Sequence, residues 1–437
     1  MKDIKIGLLG FGTVGAGVVE ILEKNAALLK NRLGVPLTLA QVADLDISRD
    51  RGVSIDPVLL TTEAAQVVEN PDIDIVVELI GGYEPARTLV MAALACGKSV
   101  VTANKALLAR HGEEIYAEAD RCGGEIFFEA SVGGGIPLIT SIKENLGANH
   151  FHAILGILNG TCNYILTRMT QNGESFGAVL KDAQEKGFAE ADPTFDVEGI
   201  DTAHKLAVLI GLCFGSIPDF RNIYVEGISR ISSVDIDFAR QFGYVIKLLA
   251  ISKRSENGIE ARVHPTMLPE DHPLAAVDGV FNAVEVVGDY VGPVTWIGQG
   301  AGRKATASAV VGDILQAARN LRAGVRQRTA PLGYLPAALR ALPIIPMDDL
   351  MGQFYLRFSV IDRPGVLGRI STILGEKGIS IASMIQMKRK ADSQVPVVMM
   401  THRTREAAIR AALERIDSDG VNCEPSVLIR IENSDSD

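Results

Sequence analysis

One short segment of the chain combines four carboxylates with a lysine, at Glu190, Asp192, Asp196, Asp201 and Lys205. Asp201 and Lys205 are one helical turn apart in a segment whose apolar residues have helical spacing, so their side chains share one helix face. A site that holds a cationic amino group and also moves a proton needs this mixture of acids and an ammonium group. The segment is therefore the first candidate for chemistry.

The same pattern also fits an ordinary solvated surface. An exposed ion pair of this spacing stabilises a protein by only about 0.3–0.5 kcal/mol. Two features nevertheless favour a site. The helix around Lys205 is strongly apolar, and the acids before it are interrupted by Gly187, Pro193 and Gly199, which indicates a shaped loop rather than a charged helix face.

A glycine motif near the N-terminus predicts a binding site for a dinucleotide. It follows an apolar run typical of a strand, precedes a helical pattern, and consists of Gly10, Phe11, Gly12, Thr13, Val14 and Gly15. In such a turn Gly10 permits the tight bend, Gly12 lets the backbone approach a pyrophosphate, and Gly15 allows close packing of helix and strand. The N-terminus of the helix then faces the anion.

The residues after the second predicted strand leave the choice of cofactor open. Asp44 ends that strand and, as an acid, favours the ribose hydroxyls of NAD. Arg49 and Arg51 follow closely and would suit the 2′-phosphate of NADP. The sequence therefore predicts a nicotinamide dinucleotide without deciding between NAD and NADP.

Two further motifs follow predicted strands. Lys105 comes just after a strand that ends at Thr102, at the sheet edge where ligands bind in open α/β folds, although a surface lysine at a helix start fits equally well. Glu129 precedes a glycine run at 133–135, whose exposed carbonyls would suit a hard cation. By its residues alone this loop is better interpreted as a hinge between domains.

The composition indicates a globular protein and excludes several classes of function. Hydrophobic residues make up 47% of the 437 residues and charged residues 22%, which suits large cores and several domains. The net charge of −10 argues against a nucleic-acid partner. The sequence has no leader-like or membrane-spanning apolar run, and its five scattered cysteines fit a reducing compartment. We therefore expect a cytoplasmic protein without a nucleic-acid or membrane partner.

Alternating strand and helix patterns predict an α/β protein with several domains. Residues 1–130, joined by about 300–325, would form a Rossmann-type parallel sheet domain that binds the dinucleotide. Residues 131–299 would form an α+β domain for substrate binding and dimerisation, with one long strand over 280–297. Residues 326–351 are rich in proline and would form a linker.

The C-terminal residues 352–432 have the pattern of a small separate domain. An alternating strand at Phe354–Ile361, a turn at Asp362–Leu367 and the segments that follow give the order β-α-β-β-α-β. This order is typical of a ferredoxin-like fold. Gly365 lies at the strand–helix turn, where glycine would allow a ligand to approach.

Together these motifs resemble the homoserine dehydrogenase family. The segment from Ala183 to Lys205 matches the signature of that family, and Asn104-Lys105, Asn159-Gly160-Thr161 and Gly300–Gly302 stand where its members place them. The resemblance covers about residues 3–325. The C-terminal segment resembles an ACT domain, a regulatory unit often attached to enzymes that make amino acids.

The resemblance implies a reaction and roles for the acidic segment. The reaction would be reversible hydride transfer between L-aspartate 4-semialdehyde and L-homoserine, a step toward threonine, methionine and isoleucine. Lys205 would donate the proton to the carbonyl oxygen, Asp201 would orient Lys205, and Asp196 and Lys105 would line the same cleft. Lys105 could also donate the proton, but Lys205 is preferred because its paired carboxylate fixes it. The residues implied in substrate binding are Glu190, Asp196, Gly160 and Thr161, of which Glu190 would bind the ammonium group.

The resemblance also implies a cofactor site and a monovalent cation. The cofactor, NADP or NAD, would contact Gly10, Phe11, Gly12, Thr13, Val14, Gly15, Lys105 and Gly302. A sodium ion would be held by the Glu129 side chain and by the backbone carbonyls of Val132, Gly134 and Ile136. Leu45 departs from the family, in which arginine often follows the acid after the second strand, so a strict preference for NADP is not implied.

The ACT resemblance suggests regulation by an amino acid, most plausibly threonine, bound where two such domains pair in a homodimer or homotetramer. Two alternatives stay open at this point. The chain would be another dehydrogenase of a small aldehyde or hydroxy acid, or a nucleotide-binding sensor without catalysis. A complete set of Glu190, Asp201 and Lys205 argues against a sensor, because a sensor needs no proton donor.

Overall fold

A computed structural model describes residues 3–386 and 394–433 of the chain. Its strands, numbered along the chain, are β1 Ile4–Leu9, β2 Leu37–Ala43, β3 Leu60–Thr61, β4 Ile75–Glu78, β5 Ser99–Thr102, β6 Glu125–Phe127, β7 Phe151–Ile157, β8 Tyr224–Val225, β9 Tyr244–Ser255, β10 Gly258–Pro269, β11 Phe281–Gly288, β12 Gly292–Gln299, β13 Met351–Ile361, β14 Ile381–Gln386, β15 Gln394–Thr401, β16 Thr404–Arg405 and β17 Val427–Ile431. Its α-helices are α1 Thr13–Lys24, α2 Ala26–Leu33, α3 Ala64–Glu69, α4 Ala86–Ala95, α5 Lys105–Cys122, α6 Gly160–Asn172, α7 Phe176–Glu185, α8 Thr194–Val197, α9 Ile200–Phe214, α10 Ser233–Gln241, α11 Arg303–Ala323, α12 Val366–Glu376 and α13 Glu406–Ser418.

The chain divides into two compact units, each built from several chain segments. The segments of the first unit are Met1–Gly160, Asp201–Arg221 and Phe281–Leu342. The segments of the second unit are Thr161–Ile200, Asn222–Val280 and Pro343–Asp437. The candidate residues are therefore distributed over both units, and each unit is described separately below.

The first unit contains a parallel sheet of six strands in the order β3-β2-β1-β4-β5-β6. The central strand β1 pairs with β2 and β4, and its residues Ile6, Leu8 and Leu9 have no exposed surface. A strand buried on both faces is typical of a parallel sheet with helices on either side. The predicted Rossmann-type α/β fold is confirmed.

Helix α11 packs on the first helix of this sheet. A Cβ atom at Gly17 of α1 would lie 2.8 Å from the Arg303 carbonyl and 2.9 Å from the Ala307 Cβ, so the two helices meet at a residue that must be small. Val310 and Ile314 of α11 share one apolar core with β1 and α1. The loop that leads into α11 is thereby held in the same unit as the glycine motif.

The first helix is shorter than the sequence pattern suggests. Apolar spacing through Leu28 predicts one long helix, but α1 ends at Lys24 and α2 begins at Ala26. Asn25 lies between them with φ −102° and ψ 13°, outside helical geometry. Asparagine disfavours helix interiors because its side chain competes for nearby backbone hydrogen bonds.

The segment predicted as one strand over 280–297 is a hairpin, so that prediction is wrong. β11 and β12 pair antiparallel, with Gly288 opposite Gly292. Gly292 has φ +71°, which glycine adopts with little strain, and the chain reverses between the two glycines. β11 also pairs antiparallel with β7 on its other side. The apolar residues on both sides of the turn had suggested a single strand.

The second unit contains a mixed sheet. β9 and β10 form a long antiparallel hairpin, and β17 pairs with β10 in parallel. β17 then pairs with β13, β13 with β15, and β15 with β14, all antiparallel. The C-terminal domain therefore continues the sheet of the β9–β10 hairpin through hydrogen bonds between β10 and β17.

The C-terminal domain has the predicted ferredoxin-like order, β13-α12-β14-β15-α13-β17, which confirms the ACT fold. Its core joins Phe354 and Phe358 of β13 to Ile370 of α12 and Ile409 of α13. The sequence pattern also predicts a strand over 379–389; the structure describes β14 as Ile381–Gln386, and the rest of the predicted strand after Gln386 lies outside the described residues.

Two further findings concern the chain as a whole. None of the five cysteines, all of which lie in the described residues, forms a disulfide bond. In residues 3–386 and 394–433, no helix combines the length and the apolar character that crossing a membrane requires.

Candidate active site

The glycine motif forms a tight turn between β1 and α1. Gly10 has φ +94°, and a Cβ atom there would lie 2.7 Å from the Leu79 carbonyl group. A Cβ atom at Gly15 would lie 2.2 Å from the Gly10 carbonyl oxygen. Around Gly12, by contrast, the space is open. Only glycine fits at the two crowded positions, and the open one leaves room for a pyrophosphate at the N-terminus of α1.

Asp44 holds this turn in place. Its Oδ2 accepts a hydrogen bond of 2.6 Å from the Phe11 N–H, and its Oδ1 lies 3.1 Å from the Arg51 guanidinium group. That guanidinium group also lies 5.3 Å from the centre of the Phe11 ring. Asp44 and Arg51 thus lie together at the end of β2. Asp44 has the position of the acid in an NAD site, and Arg51 has the position of the cation in an NADP site.

Glu78 shapes the carboxyl edge of the sheet and was missed in the sequence. Its carboxylate is fully buried at the end of β4 and accepts hydrogen bonds from the Ile80 N–H at 2.8 Å and the Thr102 hydroxyl at 2.6 Å. Next to it, Asn104 caps α5 and donates to the Gly82 carbonyl at 2.8 Å. These bonds fix the loops around Lys105. A buried acid in an apolar strand was the only signal for this role.

Asp201 lies between two lysines in the first unit. Its Oδ2 is 2.6 Å from Lys205 Nζ and accepts a hydrogen bond of 3.1 Å from Asn159. Its Oδ1 is 3.3 Å from Lys105 Nζ. Asp201 and Lys205 are buried, with 4% and 8% of their surface exposed, whereas Lys105 keeps 35% of its side chain exposed. The predicted pair is therefore not a solvated surface pair, and Lys105 joins it.

The charges around Asp201 determine its protonation. Burial alone would raise the pKa of Asp201, but the positive charges of Lys205 and Lys105, with hydrogen bonds from Lys205 and Asn159, lower it well below the usual value. Asp201 is therefore ionised throughout the physiological range. A fixed carboxylate of this kind orients a neighbouring ammonium group.

His204 is held as a neutral imidazole in α9. It is buried in the same helix, and its ring stacks on Phe220 with centroids 4.2 Å apart. Burial is the main cause that lowers the pKa of His204 to about 4, and the two nearby lysines also lower it. The imidazole is therefore neutral at physiological pH.

The backbone of Leu158 completes the setting of Lys205. Its carbonyl accepts a hydrogen bond of 2.6 Å from Lys205 Nζ and another of 2.9 Å from the Asn282 side chain. Asn282 is buried at the start of β11, and a Cβ atom at Gly300 would lie only 2.0 Å from its Cγ. Asn282 thus links the carbonyl that holds Lys205 to the loop before α11. This long-range contact had no signal in the local sequence.

Of the predicted substrate residues, Thr161, Glu190 and Asp196 belong to the second unit, whereas Gly160 ends a segment of the first unit. The Thr161 hydroxyl donates to the Phe188 carbonyl at 2.6 Å and lies 3.5 Å from the Asp196 carboxylate. The Glu190 side chain is exposed. Asp192 accepts a hydrogen bond of 3.1 Å from the Thr194 N–H at the start of α8. Asp192 is therefore a turn residue, whereas Glu190 leaves its carboxylate available to a ligand.

Glu129 begins the predicted cation loop. It is buried, and its carboxylate accepts hydrogen bonds from the Ile139 N–H at 2.6 Å and from the Thr140 N–H and hydroxyl at 2.8 and 2.6 Å. The sequence pattern predicts a helix over 137–146, and the structure has a helix that begins at Ile139 and continues as a π-helical turn at Ser141–Asn145. Among the described residues, no cluster of three or more His, Cys, Asp or Glu side chains suits a metal ion.

The cation loop lies against the loop that precedes α11. A Cβ atom at Gly134, which has φ +55°, would lie 2.4 Å from the Gly300 carbonyl oxygen, and the Gly135 N–H donates to the Gln299 carbonyl at 3.0 Å. Gly302 has φ +109° and begins α11 in open space. The glycines at 133–135 and 300–302 thus let two backbones approach closely within the first unit.

These groups define a class of protein. The parallel sheet carries a turn shaped for a pyrophosphate, and the same unit buries a lysine beside an ionised carboxylate. Such parts suit hydride transfer between a nicotinamide dinucleotide and a small carbonyl compound. The first unit has the construction of a dinucleotide-dependent oxidoreductase.

Known proteins show which family this is. Residues 10–129 match the family model for the homoserine dehydrogenase NAD-binding domain, residues 137–315 that for homoserine dehydrogenase, and residues 354–420 that for the ACT domain. Homoserine dehydrogenase of Pseudomonas aeruginosa is 45% identical over 434 residues, and that of Bacillus subtilis 40% over 435 residues, each alignment covering 99% of both chains. A crystal structure of a homoserine dehydrogenase from Thiobacillus denitrificans is 46% identical, with a TM-score of 0.93 over 99% of both chains.

The chain belongs to the homoserine dehydrogenase family and is an NAD(P)-dependent oxidoreductase. The predicted reaction, reversible hydride transfer between L-aspartate 4-semialdehyde and L-homoserine, is confirmed by this membership. The two alternatives, another small-aldehyde dehydrogenase and a sensor without catalysis, find no support among these relatives.

Proposed function

We propose that Lys205 donates the proton to the carbonyl oxygen of L-aspartate 4-semialdehyde as the nicotinamide delivers its hydride. The observation that carries this assignment is the bonding of the ammonium group. Asp201 and the Leu158 carbonyl each bind Lys205 Nζ at 2.6 Å. A lysine ammonium group has three N–H donors, so one donor stays available for the substrate oxygen.

The reduction then balances as follows. The hydride adds to the aldehyde carbon, the electron pair of the C=O bond moves to oxygen, and the proton of Lys205 joins that oxygen to give the hydroxyl group of L-homoserine. In the reverse direction Lys205 takes the hydroxyl proton while the carbon returns its hydride. Asp201 fixes the position of Lys205 in both directions.

The cofactor is assigned to the glycine turn and its neighbours. Gly10, Phe11, Gly12, Thr13, Val14 and Gly15 line the N-terminus of α1, where backbone N–H groups face an anion. Lys105 begins α5 at the carboxyl edge of the sheet, where ligands of such sheets bind, and Gly302 begins α11. Initial rates with NADH and NADPH decide between the two cofactors, because Asp44 and Arg51 suit one each.

The test of Lys205 is the variant Lys205→Ala. We expect turnover to fall by about 10²–10⁴-fold, the usual contribution of an acid–base group, with little change in cofactor affinity. Lys181→Ala is the matched control, because Lys181 and Glu185 have the same helical spacing on the surface, with 78% and 67% of their side chains exposed. Near-normal turnover of Lys205→Ala refutes the assignment.

Substrate recognition is assigned to Glu190, Asp196, Gly160 and Thr161 of the acidic segment and α6. The exposed Glu190 carboxylate suits the substrate ammonium group, while Asp196 and Thr161 lie within 3.5 Å of each other. Glu190→Gln should raise KM for L-homoserine while KM for the cofactor stays unchanged. An unchanged KM for L-homoserine removes Glu190 from the substrate site.

A sodium ion is assigned to the backbone carbonyls of Val132, Gly134 and Ile136, with Glu129 supplying the negative charge. The positive φ angles of Gly133 and Gly134 turn the backbone sharply, as a loop of carbonyl ligands requires. Because the Glu129 carboxylate already accepts three protein hydrogen bonds, it anchors the loop beside the ion. The ion should raise the thermal midpoint when sodium replaces tetramethylammonium at equal ionic strength, and an unchanged midpoint argues against the site.

The ACT domain is assigned an amino-acid effector, with threonine as the first candidate. The protein is assigned as a homodimer or homotetramer located in the cytoplasm. The five cysteines form no disulfide bond in the described residues, which supports a reducing compartment. Light scattering gives the oligomeric state. The effector is tested by initial rates with and without threonine, measured for the full chain and for a chain truncated after Pro346. Equal threonine sensitivity of the two chains contradicts the assignment of the effector to the ACT domain.

A further inference from the structure

A buried carboxylate at the carboxyl edge of the parallel sheet has no counter-charge. Glu78 is the last residue of β4 and has no exposed surface. Among residues 3–386 and 394–433, no cation pairs with its carboxylate. Burial of a carboxylate without a paired cation is costly, so this charge lowers the stability of the fold. We therefore expect a ligand to supply the opposite charge.

The hydrogen bonds of Glu78 have the pattern of an ionised carboxylate. It accepts from the Ile80 N–H at 2.8 Å, the Gly81 N–H at 3.1 Å and the Thr102 hydroxyl at 2.6 Å. The Thr102 oxygen in turn accepts from the Asn104 N–H at 3.0 Å, so the hydroxyl proton is directed toward Glu78. All three groups that touch the carboxylate are donors, and both of its oxygens act as acceptors.

The loop that follows Glu78 has open space beside it. Gly81 and Gly82 have φ +81° and +70°, and a Cβ atom at either position would meet no heavy atom within 4 Å beyond its chain neighbours. The Asn104 side chain donates to the Gly82 carbonyl at 2.8 Å, and Lys105 of the proposed cofactor site follows Asn104 directly. The charge of Glu78 thus lies behind an open loop at the sheet edge where ligands bind in such folds.

We propose that the Glu78 carboxylate favours binding of the oxidised nicotinamide dinucleotide over the reduced form. The nicotinamide ring carries a positive charge when it is oxidised and no charge when it is reduced. A buried carboxylate stabilises such a charge without touching it, because water screens the interaction only weakly in the interior. This inference rests on the cofactor site proposed above.

The other charges of this part of the first unit make such a carboxylate necessary. Lys105 and Lys205 lie on either side of Asp201, at 3.3 Å and 2.6 Å, so the three side chains together carry one positive charge. A positive charge disfavours a positively charged ring nearby. The negative charge of Glu78 offsets this effect.

The preference for the oxidised form also affects the direction of the reaction on the enzyme. Formation of L-homoserine converts the reduced cofactor to the oxidised one. An enzyme that holds the oxidised form more tightly shifts the equilibrium between bound reactants and bound products toward L-homoserine. Removal of the Glu78 charge should shift that equilibrium back by the factor by which the relative affinity changes.

The proposal is tested with Glu78→Gln, which keeps the shape of the side chain and removes its charge. Calorimetric titration of the full chain with NAD⁺, NADH, NADP⁺ and NADPH gives the dissociation constant of each form. We expect the ratio of the oxidised to the reduced dissociation constant to rise by at least about fivefold for the cofactor pair that binds. Glu78→Asp keeps the charge and should keep the ratio near that of the wild type.

Glu125→Gln is the matched control, because it removes a similar carboxylate at the opposite edge of the same sheet. Glu125 is 6% exposed at the start of β6. Its carboxylate accepts a hydrogen bond of 2.7 Å from the Asn320 side chain and lies 3.3 Å from the Ser99 hydroxyl. It also forms no ion pair with the described residues. The ratio should therefore be unchanged in Glu125→Gln.

Several results overturn the proposal. An unchanged ratio in Glu78→Gln does so, as does an equal rise in Glu125→Gln or in Glu78→Asp. Thr102→Val removes one hydrogen bond and keeps the charge, so an equal rise in that variant would assign the effect to loop geometry instead. If Glu78→Gln does not fold, Glu78→Met takes its place, and failure of both variants to fold assigns the carboxylate to the fold alone.

Gly15→Ala separates failure of this proposal from failure of the cofactor assignment. Its Cβ atom would lie 2.2 Å from the Gly10 carbonyl oxygen, so it should weaken the oxidised and the reduced form by a similar factor. Unchanged affinity for both forms in Gly15→Ala would contradict the cofactor site itself. Weakened binding there, together with an unchanged ratio in Glu78→Gln, would remove only the role of Glu78.

Discussion

Replacing Asp201 with asparagine is the most informative single change. The Asp201 carboxylate binds Lys205 at 2.6 Å and Asn159 at 3.1 Å and lies 3.3 Å from Lys105. In Asp201→Asn one oxygen becomes an NH₂ group that faces further donors, and two cations lose their counter-charge. Removal of one partner from a buried ion pair costs about 3–5 kcal/mol. The partial exposure of Lys105 places the expected loss at the lower end of that range.

The expected result has a stability part and a kinetic part. Urea denaturation should show the loss in free energy of unfolding, and turnover should fall because Lys205 is no longer fixed, while cofactor affinity changes little. The control is Glu185→Gln, since Glu185 and Lys181 have the same helical spacing with 67% and 78% of their side chains exposed. That exposed pair should contribute at most about 1 kcal/mol. Equal effects of the two variants refute the reasoning.

The pH dependence gives an independent check of the same pair. The folded-state pKa of Asp201 is lowered, so its stabilising contribution is complete above the unfolded value of about 3.9 and is lost as pH falls through the lower folded value. The difference in unfolding free energy between wild type and Asp201→Asn should therefore be constant from about pH 6 to 8 and should decrease below about pH 4. A difference that decreases near neutral pH contradicts this picture.

Three further predictions concern the cofactor turn and the support of Lys205. Gly15→Ala should weaken binding of both NADH and NADPH by at least about tenfold, because the new Cβ atom would lie 2.2 Å from the Gly10 carbonyl oxygen. Unchanged cofactor affinity in a fluorescence titration contradicts the turn geometry. Arg51→Ala should weaken NADPH by about tenfold relative to NADH in the same titration, since it removes the cation at the end of β2, and equal losses for both cofactors exclude Arg51 from phosphate recognition. Asn282→Ala should lower the free energy of unfolding by about 1–3 kcal/mol, because it removes a buried hydrogen-bond donor to the Leu158 carbonyl. The same variant should lower turnover about tenfold without altering cofactor affinity. Normal turnover in the folded variant would show that Asn282 does not position Lys205.

Much of the catalytic unit could be predicted from local sequence. The glycine motif has fixed spacing because its turn geometry is local, and Gly10 and Gly15 are crowded as such a turn requires. The Asp201–Lys205 pair was likewise readable from helical spacing alone. In both cases a few neighbouring residues determine the geometry.

The missed parts depend on contacts between distant segments. The resemblance implies that Lys105 lines the same cleft, but Lys105 approaches Asp201 from another segment of the first unit, and no local pattern indicates the distance of 3.3 Å. Glu78 and Asn282 act through backbone groups of loops that only the folded sheet brings near. The hydrogen bonding of β17 to β10 is equally non-local.

The central claim is that Lys205 supplies the proton, and single-turnover kinetics test it most directly. Enzyme saturated with reduced cofactor is mixed with L-aspartate 4-semialdehyde, and oxidation of the nicotinamide is followed by its absorbance. We predict that Lys205→Ala binds the cofactor as tightly as wild type but oxidises it about 10²–10⁴-fold more slowly. Equal single-turnover rates for the two proteins would contradict the account.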